Sequence, residues 1–505
     1  MWAASSRTGS RTVTLGSDTA TRVVAWTTSR SCVRELHYGR AKSRKNREQG
    51  FPRRSLATLV EMPSARPITG ETSLSGARET TFLIMVGLLP LHTVFLSAWI
   101  SWKPYLIVVG GLAAWDLVDG WRQRRWPWHR RLSLAIALFL AILLIGWPPA
   151  QYLARFIRLY LALVIGGLVL LVTERSIRST DVLDRMLRVV FWTGAAMGVT
   201  AVLITLVSTG VFGSSALDTV NNIPGIFRVA KPAYLEDGFI ALTNWHQDPG
   251  YGAAWANLWL VLGLAAVARG VGTRRIWGDG AVLGGLMFAV VMAFSRTGWL
   301  TLLIGVPAAA VILAHRHWAD GRFLARRIGA AVLVAAILVG GIWMVDRPDV
   351  GGDVGLEFSF RMTQGWNVLA SISGLFAKSE RFADAFDESE QRADVWPDYV
   401  RMFEEHPITG VGLSVGWQTE SIGQEPHNLF LELLAETGLV GTFAFLMLIW
   451  VVLRRGRGAA GYVALLVAFL PFMTQTVLFE PTWWFAAGVL AAGASIRDSN
   501  HPVLA

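Results

Sequence analysis

Between residues 82 and 496 the chain returns twelve times to an apolar run of 15 to 25 residues, and that recurrence leaves few folds open. The runs lie near 82–100, 104–118, 132–148, 156–173, 187–209, 251–268, 280–294, 298–314, 328–345, 429–453, 461–478 and 482–496. A hydrocarbon layer about 30 Å thick takes roughly 20 helical residues to cross. Inside it every backbone amide must find its partner within the protein, which helices achieve segment by segment. The pattern predicts an all-α polytopic membrane protein with about 12 transmembrane helices. Composition agrees: 53% of the residues are hydrophobic and only 16% charged, against about a quarter charged in soluble domains.

Basic residues in the short loops give an orientation. Trp121–Arg131, Glu174–Arg188, Arg269–Arg275, Arg316–Arg327 and Arg454–Arg457 together hold 19 Arg, whereas the short loops of opposite phase hold 4 basic residues, Lys103, Arg155, Arg158 and Arg296. Both termini are therefore expected in the cytoplasm. Two long loops, 211–250 and 346–427, are expected outside, the second large and partly helical. Tryptophans such as Trp99, Trp102, Trp147, Trp483 and Trp484 sit near predicted membrane edges, as an aromatic belt requires.

Residues 1–80 read differently. They hold 14 Lys/Arg against 6 Asp/Glu and the single cysteine, Cys32. No sustained periodicity runs through them, so the stretch is expected to be a disordered basic tail. It reads as a cytoplasmic extension, as an Arg- and Ser-rich transit peptide, or as the product of an upstream start codon with the true start near Met62 or Met85. The last is favoured because nothing in the segment is patterned to pack. The net charge of +10 resides mostly in this tail and does not argue for a nucleic-acid partner. The rest divides into transmembrane helices at 81–210 and a second membrane region at 211–505 that contains the loop 346–427.

Three stretches carry residues suited to chemistry. Pro426–Trp450, PHNLFLELLAETGLVGTFAFLMLIW, opens with His427 at the outer edge of a span. On a continuous helix His427, Leu431, Leu434, Gly438 and Gly441 form one stripe, and its glycines would admit a neighbouring helix. Glu432 and Glu436 share another face, expected near the interface or a wet cleft. The plainer reading is an interfacial histidine above a packing stripe. In Met292–Gly305, MAFSRTGWLTLLIG, Arg296 stands between two apolar runs, a costly place unless it snorkels or faces water. Its planar fork suits phosphate oxygens. In Gln391–Trp417 an amphipathic helix is expected around Trp396, Tyr399, Val400 and Phe403, with Pro397 in its first turn and Arg392 just upstream. Arg392 by itself reads equally as a solvated loop charge. HPITGVG then reads as a turn. No Walker loop, HExxH or G-x-S-x-G motif occurs, and GVGLSVG lacks the strand that a dinucleotide loop needs. His246 and Asp248 alone make no metal site.

Together these stretches resemble the O-antigen ligase family of bacterial envelope proteins, which shares a domain with O-antigen polymerases and some O-linked oligosaccharyltransferases. The pattern His, Asn, nine residues, Gly, two residues, Gly is met by His427, Asn428, Gly438 and Gly441; an SRTG segment is met at Ser295–Gly298. The R…W…PxTGxG pattern is met by Arg392, Trp396, Pro407, Gly410 and Gly412. The likeness covers roughly residues 240–450. It implies a glycosyltransferase at the periplasmic face of the inner membrane, with a glycan on undecaprenyl pyrophosphate as donor and lipid A–core or another glycan as acceptor. It further implies no metal, nucleotide or other cofactor, His427 as catalytic base, Arg296 and Arg392 on the pyrophosphate, and Asn428, Gly438 and Gly441 in support. A polymerase using the same donor is the near alternative. A polysaccharide or lipid transporter is the distant one, and it would require paired charges at mid-span, of which the apolar runs are almost free.

Overall fold

The computed structural model describes residues 71–91, 103–146, 152–208, 249–315, 320–345, 390–416, 426, 428–456, 459–473 and 477–500. Among them every regular element is helical. The α-helices are α1 Glu71–Leu88, α2 Pro104–Arg122, α3 Arg130–Leu143, α4 Leu153–Ser176, α5 Thr180–Ser208, α6 Pro249–Ala268 and α7 Ile276–Val291. They continue as α8 Arg296–His315, α9 Gly321–Val345, α10 Glu390–Glu405, α11 Leu429–Arg455, α12 Ala459–Phe469 and α13 Pro481–Asn500. Two 3₁₀ turns, Leu470–Met473 and Val477–Phe479, lie between α12 and α13.

Each of the twelve apolar runs overlaps a helix. Six helices are long and apolar enough to cross a membrane: those within α4, α5, α6, α8, α9 and α11. The other six runs fall on helices outside that set. The first helix starts at Glu71, inside the stretch read as tail and eleven residues before the first apolar run. Its charged turns have partners: Arg78 forks onto Asp116 at 2.7 and 2.9 Å, and Glu79 pairs with Arg185 at 2.9 Å.

Helix α6 is apolar all round and buried almost throughout, as a central helix must be. It packs against α5, α7, α8, α12 and α13. Trp255 and Trp259 on it meet edge-to-face at 5.1 Å. Outward side chains such as Ile107, Leu134, Val199, Val311, Ile337 and Phe443 are exposed yet aliphatic or aromatic. So broad an apolar exterior suits hydrocarbon and not water.

The two ends of the bundle differ. At one end the arginine-rich loops are laced together by ion pairs. Asp116 is fully buried; it accepts from Arg78 and from Trp128 Nε1 at 3.2 Å and forms an ion pair with Arg175 at 2.9 Å. Arg175 also reaches Asp119 at 2.7 Å and the Pro127 carbonyl. Arg455 pairs with Glu174, Arg269 forks onto Asp184 at 2.8 Å, and Arg327 binds Asp279. The imidazole of His129 is pushed below its usual range by burial and by Arg455, which disfavours a further positive charge among these guanidinium groups. Helix α11 ends here at Arg455, and the first turn of α7 carries Asp279 here. The starts of α11 and α8 therefore lie at the opposite end.

Candidate functional site

The opposite end is organised by a break in α11. Its first turn is capped by Asn428, whose Oδ1 accepts from the amides of Phe430 and Leu431 at 3.1 and 3.2 Å. An Asx cap removes two of the four amides that a helix start leaves open. Ten residues on, Gly438 takes φ 62°, ψ −166°, outside helical space. Apart from glycine, residues do not occupy that region without strain. The groups freed by the break are taken up by the loop after α10. Val411 N donates to Ala435 O at 3.0 Å and Gly412 N to Glu436 O at 2.9 Å. In return Leu439 N donates to Pro407 O at 2.9 Å and Val440 N to Ile408 O at 3.2 Å. The backbones run so close that a Cβ on Gly438 would stand 2.4 Å from Ile408 O, and one on Gly410, itself at φ +69°, 2.3 Å from the Glu436 carbonyl carbon. Irregular backbone at such depth is tolerated only when protein satisfies it, and here it does.

The stripe expected on a continuous helix is therefore interrupted. What the glycine admits is a loop backbone, not a neighbouring helix. Gly441 lies past the break beneath Thr437, whose hydroxyl bonds back to Leu433 O at 2.7 Å.

Helix α10 lies along the first half of α11. Its inner stripe is buried Val395 and Tyr399 with half-buried Met402, set against Leu431 and Ala435. Tyr399 is fully buried, whereas Trp396 and Val400 are each 43% exposed. The amphipathic helix is as expected in place, but it starts at Glu390. Pro397 is thus interior to it and Arg392 is inside it, not upstream. Trp396 reaches across, its Nε1 donating to Pro426 O at 2.8 Å. Glu436, 1% exposed, accepts from Ser414 N at 2.8 Å, so its carbonyl and its carboxylate both hold the 412–414 turn.

Glu432 is buried as well. A cavity of about 10 Å³, near the size of one water, is lined by both carboxylates with Leu143, Leu163 and Leu413 among the walls. Both glutamates are thus largely covered by protein beside a cavity with room for about one water.

The third motif forms the start of α8. Ser295 Oγ accepts from Gly298 N at 3.2 Å, capping the helix at the residue before Arg296. Buried Asn257 of α6 donates to Gly298 O at 3.0 Å, and Trp299 Nε1 closes back onto Val291 O at 3.0 Å. A Cβ on Gly298 would lie 2.6 Å from that of Ala253. Arg296 is thus the first residue of a helix pinned to the central one.

His427 lies outside the described residues, between Pro426 and Asn428. The backbones of Arg296 and Arg392 are placed in α8 and α10, and their side chains lie outside the description. The structure joins the Arg392-bearing helix to the residue preceding His427 through Trp396. Sequence reasoning missed the pairing of Pro407–Gly412 with the break, and the Glu436–Ser414 bond. The HPITGVG turn, with Gly410 and Gly412 both at positive φ, was the available signal.

A helical bundle with an apolar exterior and its arginine-rich loops laced together at one end is a multi-pass membrane protein, and its candidate site is built at the other end by a buttressed helix break. Residues 280–446 match the family model described as O-antigen ligase, and this stretch is a domain of that family. Arg296, Arg392, His427, Asn428, Gly438 and Gly441 all fall within it. No curated protein matches the chain.

Proposed function

We propose that this protein is an O-antigen ligase that moves a glycan from undecaprenyl pyrophosphate to a sugar hydroxyl of lipid A–core at the periplasmic face of a bacterial inner membrane. In this reading the chain crosses the membrane twelve times, both termini are cytoplasmic, and the 346–427 loop is periplasmic. The observation that carries it is the fastening of α10, which bears Arg392, to the residue before His427 by the 2.8 Å bond from Trp396 to Pro426. The α8 start bearing Arg296 lies at the same end of the bundle.

The acceptor hydroxyl attacks the anomeric carbon, the bond from that carbon to the phosphate oxygen breaks, and the pyrophosphate leaves with the bonding pair. Negative charge grows on the leaving group, so fixed guanidinium groups favour the transition state over the ground state. Arg296 and Arg392 take that role, with geometry suited to phosphate oxygens. His427 accepts the acceptor proton, as a group that titrates near neutrality is able to do. A single displacement inverts the anomeric centre.

The test is a gel of lipopolysaccharide from a host lacking the gene, beside the complemented strain. Bare lipid A–core, with long glycan accumulating on the carrier, supports the ligase. Core bearing a single repeat identifies a polymerase using the same donor, and an unchanged glycan profile overturns the transfer reading. In the complemented strain, His427→Ala and Arg296→Ala should each abolish transfer with protein still in the membrane. Near-normal transfer by either variant removes that residue from the mechanism.

A further inference from the structure

At the ion-paired end, outside the stretch that matches the ligase family, a groove of about 390 Å³ opens between α1 and α5. It is lined by Leu83, Arg185, Arg188, Val189, Trp192 and Thr193. It has two chemical halves. Arg185 and Arg188 stand one turn apart on α5, and beyond them Leu83, Val189 and the 56%-exposed Trp192 offer apolar surface. Arg185 is balanced by Glu79 at 2.9 Å. Arg188 is exposed and has no carboxylate partner among the described residues. It stands about 12 Å along α5 from its start, where a guanidinium beside apolar wall favours an anion.

We propose that this groove holds an anionic phospholipid, with its phosphate on Arg188 and one acyl chain along Leu83, Val189 and Trp192. Charge complementarity selects the headgroup, since a planar guanidinium pairs phosphate oxygens through two parallel bonds. Basic pockets between membrane helices take anionic headgroups on the same grounds. The apolar half selects a lipid over a free anion, which would leave Leu83 and Trp192 uncovered. The indole sits one turn beyond Arg188 and offers an amphipathic ring of the kind enriched at headgroup boundaries. None of this rests on the glycosyl-transfer reading.

The experiment uses the full chain in mild detergent, equilibrated with equal phosphatidylglycerol and phosphatidylethanolamine and read by native mass spectrometry. The wild type should retain phosphatidylglycerol preferentially. Arg188→Gln should lower that preference about fivefold, the scale of one basic residue at an anionic surface, and Trp192→Ala should lower retention of the lipid. Arg326→Gln, an exposed arginine of α9 outside this groove, should leave both unchanged. Unaltered preference in Arg188→Gln overturns the site. Equal loss in Arg326→Gln reduces it to overall basicity. Displacement by inorganic phosphate with Trp192→Ala unaffected reduces it to a simple anion site and removes the lipid.

Discussion

Asn428 closes two amides at the start of α11, immediately after the histidine on which the proposed chemistry turns. Replacing it by Ala should cost about 1 kcal/mol of stability and loosen that turn, with Ser restoring most of the loss because its hydroxyl also caps. Thermal unfolding in detergent, paired with the lipopolysaccharide ladder, reads both effects; an alanine variant as stable as the wild type would contradict the cap. Gly438 is the stricter position. Its φ/ψ alone costs a side chain about 1–3 kcal/mol, and the Cβ would stand 2.4 Å from Ile408 O. Gly438→Ala should therefore fail to accumulate in membranes, measured by immunoblot against the wild type. Both residues were legible as motif members. Their roles were not: a 4-3 period counted along one segment describes a continuous helix, and the atoms that require the glycine belong to Ile408 and Gly410, in a different segment.

At the level of elements, the decisive unit is α10 with the loop after it and the first half of α11. Glu436 ties them twice, through its carbonyl to Gly412 N and its carboxylate to Ser414 N. A buried acceptor removed from a buried amide costs about 1–3 kcal/mol. Glu436→Ala should thus lower both stability and transfer, whereas Glu436→Gln, which keeps an acceptor oxygen, should retain transfer close to the wild type. Equal loss in both variants would point to the charge in place of the bond, and assays of transfer per membrane-inserted molecule separate the two. That a helix surrounds Pro397 was readable from its apolar spacing. Which face it buries was not, because Trp396 and Tyr399 are both aromatic and the residues that cover Tyr399, Ala435 and Gly416 among them, lie in other segments.

For the whole molecule, one end is electrostatic and the other irregular. The gathering of arginine-rich loops on one side was legible from charge counting alone, since the membrane imposes it on every short loop at once. The pairings were not, because partners such as Arg455 and Glu174 lie 281 residues apart in the chain. Asp116 is the keystone, buried between Arg78 and Arg175. Asp116→Ala leaves two guanidinium groups without their shared anion and should cost about 3–5 kcal/mol, seen as a lowered unfolding midpoint of the solubilised protein. An unchanged midpoint would show that water reaches the arginines. The four backbone bonds between Pro407–Gly412 and Ala435–Val440 bear on how such a protein is recombined. Neither strip is self-sufficient in its hydrogen bonding, so a chimera that takes the loop from another protein and keeps its own α11 joins two surfaces shaped for different companions. The two strips are in this sense inherited together, and a crossover that leaves both in place keeps each backbone group with the partner it was built against.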